Sequence, residues 1–198
     1  MSNRVSLDKP RDFRYNPRMI IYADGSWDNL KRGGYGWVIF AGSERWYRGA
    51  SVFPAASSTE MEFIASIAAM EFALKYMLGR KDMSRSFTHE RIVMVTDVVD
   101  FPKMLPLIPE IRARGWLNDK GQPLLNSHLW ERLHEVHEFI QPHWEWVSGK
   151  HNPAGKIAHK LANFYRLKCP ADPNLVDAKT RKRYKRLSAQ TQGYLDKP

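Results

Sequence analysis

Three carboxylates in this chain are placed where they can converge. Asp24 follows the apolar run Met19-Ile20-Ile21-Tyr22, Asp97 follows Ile92-Val93-Met94-Val95-Thr96, and Glu62 lies in the opening turn of a long helical stretch. Apolar, β-prone runs of this kind belong to strands buried on both faces. Each aspartate is therefore expected at a strand end, held by a rigid element and aimed outward. If the two strands lie side by side and parallel, their ends meet, and the start of the helix leans over them. Carboxylates brought that close repel and raise one another's pKa unless cations lie between them. Oxygen ligands from a few acids, with positions left for water and phosphate, are what Mg²⁺ takes. Two such ions about 4 Å apart activate a water and stabilise the leaving oxygen of a phosphodiester. Each acid also has a plainer reading: Asp24-Gly25 as a turn dipeptide, Glu62 as a helix cap, and Asp97 as the start of the next helix.

The elements that must position these acids follow from hydrophobic period and turn signals. After the first strand, Asp28 to Gly34 reads as a turn, Tyr35 to Ala41 as a second strand, Gly42-Ser43 as a tight turn and Glu44 to Ser51 as a third strand. A loop with Pro54 precedes a helix from Ser57 to Gly79, whose apolar stripe is Ile64, Ile67, Ala68, Phe72 and Tyr76. Two capping boxes compete at its start, Ser57 with Glu60 and Thr59 with Glu62. A basic connector, Arg80 to Arg91, leads into the strand that ends on Asp97. Short helical pieces broken by Pro102, Pro106 and Pro109 come next, then a polar loop from Leu117 to Pro123 and a helix from Ser127 to Ile140. Trp144 to Val147 is a short strand, and Pro153 opens a last helix running to about Lys168. Three hairpin-linked strands followed by alternating helices and strands predict an α/β fold, a mixed sheet flanked by helices.

The bulk numbers narrow the partners. A chain of 198 residues with a net charge of +10 is one ordinary domain that favours an anionic partner, nucleic acid before an acidic membrane. The single cysteine excludes internal disulfides and fits a reducing compartment. No apolar segment resembles a signal peptide or a membrane span, so the expectation is a soluble, intracellular protein with no membrane association. Residues 1–17 are read as an N-terminal arm, 18–169 as the catalytic domain and 170–198 as a basic tail carrying Lys179-Thr180-Arg181-Lys182-Arg183.

Tyr22-Ala23-Asp24-Gly25-Ser26, Glu60-Met61-Glu62-Phe63-Ile64-Ala65 and Val95-Thr96-Asp97 together resemble the three acidic motifs of the type 1 ribonuclease H family. Arg114-Gly115-Trp116, Leu129-Trp130-Glu131-Arg132-Leu133 and Trp144-Glu145-Trp146-Val147 extend the likeness in order and spacing. The motifs are short singly, and it is six in register over about residues 18–167 that make the match specific. The resemblance implies a ribonuclease H-like fold with a five-stranded mixed sheet, and hydrolysis of the RNA strand of RNA/DNA hybrids with two ions, Mg²⁺ or Mn²⁺. It implies that Asp24 bridges both metals, that Glu62 and Asp97 share one of them, and that a fourth ligand comes from the last helix. There the chain departs from the family, which places an aspartate near the start of that helix. No carboxylate occurs between Glu145 and Asp172, and His159 occupies the place. Either His159 ligates the second metal, as in the Argonaute slicers on the same fold, or the site has decayed. A neutral ligand leaves the site one negative charge short, so the second ion binds more weakly. Imidazole suits Mn²⁺ better than Mg²⁺, and activity falls as His159 protonates below about pH 6. The family's mobile loop histidine, associated with product release, corresponds to His151 or Lys150, which read equally well as solvated loop residues.

The family's substrate-gripping protrusion aligns with Ile111 to Gln122, where Arg112, Arg114 and Lys120 supply charge and Trp116 an aromatic face. Ser57, Ser58 and Thr59 place hydroxyls and helix N-terminal amides where a backbone phosphate is bound, besides capping the helix. Recognition is then by groove shape and 2′-hydroxyls. The expected protein is a monomeric, metal-dependent endoribonuclease. The alternatives are a catalytically weakened nucleic-acid-binding module and a nuclease of the same fold with another substrate.

Overall fold

In a computed structural model, the described residues are 19–79, 92–147 and 153–170. Five strands, β1 (Met19–Trp27), β2 (Gly33–Ala41), β3 (Glu44–Val52), β4 (Ile92–Thr96) and β5 (His143–Trp146), form one sheet in the order β3-β2-β1-β4-β5. The β1–β2 and β2–β3 pairs are antiparallel, whereas β1–β4 and β4–β5 are parallel. This is the mixed sheet that the strand order and the resemblance imply. The helices are α1 (Ser58–Gly79), α2 (Asp100–Met104), α3 (Ile108–Ala113), α4 (Ser127–Ile140) and α5 (Pro153–Lys168). No helix among the described residues is long and apolar enough to cross a membrane.

The pleat of β1 and β2 sorts side chains between two layers. Met19, Ile21, Trp37 and Ile39 belong to a core shared with Phe63, Met70, Phe101, Trp130 and Leu133, on the side of α1 and α4. Tyr22, Val38, Val93 and Val95 belong to a smaller cluster on the other face with Ala154 of α5. By the two-residue period of a strand, Asp24 and Ser26 share the α5 side and Gly25 the α1 side. The helix α1 is buried more widely than its apolar stripe predicts. Ile67 is buried, but Ile64, Ala68, Phe72 and Tyr76 are only partly so, while Met61, Phe63, Ala65, Ala69, Met70 and Ala73 form the covered side. The reason is that α1 lies between the sheet and α4, which leaves it no single inner stripe.

Two expectations are corrected. Strand β1 does not end at Asp24; it stays paired with β2 through Asp24↔Gly36 to Trp27↔Gly33, so Asp24-Gly25 is not a turn. What ends near Asp24 is the parallel pairing with β4, whose last pair is Tyr22↔Val95. Correspondingly, Gly33 and Gly34 are strand residues, not part of the preceding turn. The N-terminal turn of α1 uses the first of the two capping options: Ser57 Oγ accepts the Glu60 N–H at 3.1 Å, and the Glu60 carboxylate accepts the Ala56 N–H. Glu62 is thereby left for another task. The Arg80–Arg91 connector, the arm 1–17, nearly all of the tail, and Lys150 and His151 lie outside the described residues.

The layer of α5 depends on bare backbone in β2. A Cβ on Gly36 would meet the Ala158 carbonyl oxygen at 2.6 Å and the Leu161 side chain, and one on Gly34 would meet the Ala162 oxygen and the Arg166 nitrogen. Backbone cannot retreat as a flexible side chain can. Gly36→Ala is therefore expected to lower stability by about 2–3 kcal/mol, read as a shift of the urea midpoint. An unchanged midpoint would show that α5 moves off the sheet without cost.

Candidate active site

The residues singled out by type and spacing come together at one edge of the β1–β4 junction. Asp24 and Asp97 each stand two positions beyond the last parallel pair, Tyr22↔Val95, so equal offsets bring them to the same level. A cavity there is lined by Tyr22, Asp24, Val95, Asp97, Val147 and Gly155, joining β1, β4 and the start of α5. Glu62 enters from the opposite layer. A Cβ at Gly25 would come within 2.5 Å of the Glu62 nitrogen, so the glycine lets β1 run directly against the first turn of α1. The Glu62 carboxylate in return accepts a hydrogen bond from the Gly25 backbone N–H. His159, one and a half turns into α5, completes the group, its Nδ1 lying 3.1 Å from Asp24 Oδ2.

Electrostatically the site is loaded. Burial, then the charges of Asp24 and Asp97, push the Glu62 carboxyl from 4.5 up to about 9, against the Gly25 N–H that favours its ionised form. Burial also raises Asp24, and Asp97 adds to the rise, while the hydrogen bond and charge of His159 oppose it. The hydrogen bond to Asp24 is the main reason that His159 lies above its ordinary range; burial and the Arg166 charge pull it the other way. Oxygen donors grouped without enough counter-charge, here two partly buried and one exposed, are the donor chemistry that suits a hard divalent cation. The four side chains converge without forming a ready cage: among the described residues, no group of three or more His, Cys, Asp or Glu is arranged to hold an ion. His159, moreover, is engaged with Asp24.

The substrate-contact candidates fall in two places. Ser57, Ser58 and Thr59 stand at the head of α1, with Ser57 Oγ already accepting a backbone N–H. Arg112 is in the last turn of α3, Arg114 and Trp116 follow that helix, and Lys120 lies in the loop closed by the Leu117↔Pro123 bridge and by the Asn118 side chain, which accepts the Lys120 and Gln122 N–H groups. The loop's cations are partly engaged. Arg114 reaches Asp119 at 3.2 Å and Glu110 at 4.0 Å, and Arg112 lies 3.7 Å from Glu131 with its guanidinium over the Trp116 ring.

Several contributors lie outside the acidic motifs. Trp146 Nε1 donates to the Asp97 carbonyl at 3.0 Å and so ties β5 to the acid. Asp28 and Arg32, which read as turn residues, are 8% and 3% exposed and form a 2.6 Å ion pair. Arg166 joins it from α5 at 3.1 Å, and through Asn163 connects it to His159. The spacing His159, Asn163, Arg166 is the one available clue, since residues four and seven apart share a helix face.

Comparisons with known proteins bear on the family and the fold. The RNase H family model matches residues 16–163. Ribonuclease HI of Pseudomonas aeruginosa is 32% identical over 149 residues, which cover 74% of this chain and 91% of that protein. Ribonuclease H of Cupriavidus necator is 34% identical over 149 residues, 73% of this chain and 92% of that protein. Among solved structures, LC9-RNase H1, described as a type 1 RNase H with the type 2 active-site motif, superposes with a TM-score of 0.60 at 22% identity, covering 89% of this chain and 85% of its own. The foamy viral protease-reverse transcriptase in complex with RNA/DNA hybrid gives a TM-score of 0.57 at 18% identity, covering 85% of this chain and 23% of its own. At these identities the structural likeness concerns the fold.

The raised Glu62 has a measurable consequence. The folded chain holds this proton more tightly than the unfolded chain, so the stability it confers is complete below about pH 4.5 and is lost as pH rises through about 9. With divalent ions chelated, Glu62→Gln is expected to match wild type at roughly pH 4 and to exceed it at roughly pH 8 by a few kcal/mol, on the order of 2–4. Urea unfolding at the two pH values measures it, and a difference independent of pH would contradict it.

Proposed function

This chain belongs to the ribonuclease H family, and from that premise we propose that it hydrolyses the RNA strand of RNA/DNA hybrids at a site made of Asp24, Glu62, Asp97 and His159. The observation that carries the reading is the convergence of three acids, Asp24 and Asp97 at equal offsets beyond the last β1–β4 pair and Glu62 brought against β1 at Gly25, where burial and the two neighbouring charges push its carboxyl up to about 9. An acid so placed lowers its energy by sharing a cation with its neighbours. Asp24, central to the group, would hold both of two divalent ions, Glu62 and Asp97 one of them, and His159 the second. Bound there, Mg²⁺ or Mn²⁺ supplies a low-pKa water and charge stabilisation at the phosphate.

The chain's own residues do the rest. Gly25 fixes the Glu62 carboxylate by its N–H, and Trp146 fixes the backbone of Asp97. Ser57, Ser58 and Thr59 offer hydroxyls and amides to a backbone phosphate at a helix N-terminus. Arg112, Arg114 and Lys120 present charge, and Trp116 a flat face, to the duplex about the protrusion. Their pairing with Glu110, Asp119 and Glu131 moderates that grip. Such contacts address backbone, groove shape and 2′-hydroxyls, not base identity. Lys150 or His151, just before α5 in the sequence, would assist product departure.

Cleavage of a labelled RNA/DNA hybrid tests the reading. Asp97→Asn is expected to lower the rate by about 10³-fold, the several kcal/mol that charge stabilisation at a reacting phosphate is worth. Mn²⁺ is expected to support wild type better than Mg²⁺, His159→Ala to lose most activity in both, and His159→Asp to gain in Mg²⁺, where a fourth carboxylate restores the missing charge. Tight hybrid binding by wild type with no cleavage in either metal would replace the nuclease with a nucleic-acid-binding module.

A further inference from the structure

The His159 ring is held from both sides, and the second side decides which nitrogen carries its proton. Asn163 touches His159 twice: its Nδ2 lies 3.0 Å from the His159 carbonyl oxygen and 2.9 Å from ring Nε2. Its Oδ1 lies 3.0 Å from Ser26 Oγ and 3.1 Å from Arg166 Nη2. A carbonyl only accepts and a guanidinium only donates, so the amide has one orientation, with Oδ1 toward Arg166 and Nδ2 toward His159. An amide nitrogen in turn only donates, which makes Nε2 the acceptor. The proton of the neutral ring is then on Nδ1, from which it is donated to Asp24 Oδ2.

Turning the amide over is costly. It would set Nδ2 against the Arg166 guanidinium and Oδ1 against the His159 carbonyl, two like-with-like contacts in place of two hydrogen bonds. Arg166 cannot readily yield. Its Nη1 is bonded to Asp28 at 3.1 Å, and Asp28 is itself clamped by Arg32.

This wiring is opposite to that of an ordinary liganding histidine, which donates its remote ring N–H to a carboxylate or carbonyl and so frees the near nitrogen's lone pair. A cation shared by Asp24 and His159 needs the lone pair at Nδ1 and hence the proton on Nε2, where Asn163 presents another N–H. We propose that Asn163, oriented by Arg166 and Ser26, is a positioning residue that locks His159 in the Nδ1–H tautomer as a donor to Asp24 and thereby opposes its coordination of a metal ion. The second half of this statement rests on the metal-dependent reading of the site; the tautomer itself does not.

The test uses the full chain. Nitrogen NMR of ¹⁵N-histidine protein, without divalent ions and at a pH where the ring is neutral, assigns the protonated nitrogen. Wild type is expected to carry the proton on Nδ1. Asn163→Asp, which accepts instead of donating, is expected to move it to Nε2, a change that a merely structural role for Asn163 would not produce. Mn²⁺ titration supplies the second readout. Asn163→Ala, which adds no charge, is expected to bind the weaker Mn²⁺ ion about tenfold more tightly, the scale on which partners of liganding histidines act, and to have no such effect in a His159→Ala background. A wild-type ring protonated on Nε2, or Mn²⁺ affinity indifferent to Asn163→Ala, would overturn the proposal. Neither readout needs turnover, so failure of the lock and failure of hybrid cleavage are separate results. If Asn163→Ala does not fold, the wild-type tautomer still decides the lock.

Discussion

The site depends on one close approach, that of the β1 backbone at Gly25 to the first turn of α1. Any side chain there would collide with Met61 and the Glu62 nitrogen. With the glycine in place, the two elements nearly touch, Glu62 comes into the field of Asp24 and Asp97, and its carboxylate takes the Gly25 N–H. A second close approach, of Gly34 and Gly36 to the backbone of α5, does the same for His159 from the other face. The site is therefore held between the two layers that cover the sheet. Its geometry is set by backbone contacts, which move less than side chains do.

Asp28 and the group Asp24, Glu62 and Asp97 make a useful contrast. Asp28 is buried, which by itself pushes its carboxyl up, yet the hydrogen bonds and charge of Arg32, the Leu30 N–H and Arg166 outweigh burial, and its pKa lies below the ordinary range. Glu62 is surrounded by two further acids and rises to about 9. The same fold thus neutralises one buried aspartate thoroughly with cations of its own and leaves a group of three acids with only the exposed imidazole of His159 against them. A structural cluster is built to cancel its charge. A cluster that keeps its charge unresolved gains most from a cation that is not part of the chain.

The order of strands and helices was legible because period-2 runs, glycine and proline stops and the helix N-terminus signal agree with one another along the chain. The three acids were legible because each follows or opens such an element. What was not legible is where a strand continues beyond its apolar run. Asp24 to Trp27 carries no apolar alternation, yet it remains in β1 because β2 pairs with it along its whole length, and pairing is a long-range property that local pattern does not report. The glycines of β2 misled for a related reason. In sequence they signal a turn, whereas in the fold they make room for α5. The wide burial of α1 was hidden because it depends on α4 lying across its outer side. Asn163, Arg166, Asp28 and Arg32 belong to no motif, and their importance is visible only once α5 lies against β1 and β2.

That last network changes the meaning of the imidazole in the site. A histidine in the place where the resemblance expects an aspartate invites the reading of a simple loss of one negative charge. Here, however, the ring lies between a carboxylate that accepts and an amide that donates, so it is oriented by both, and the amide is set by Arg166 and, through it, by the buried Asp28–Arg32 pair. A carboxylate at position 159 would find the Asn163 Nδ2 a ready partner and the Asp24 oxygen a repulsive one; imidazole finds both favourable. The contact that lowers the cost of keeping Asp24 ionised is thus the contact that occupies the nitrogen facing it. Position 159 stabilises the acids when no ion is shared, and it competes for Asp24 when one is. The strength of that competition is set from the far side of the ring, by Asn163, which bonds to His159, Ser26 and Arg166.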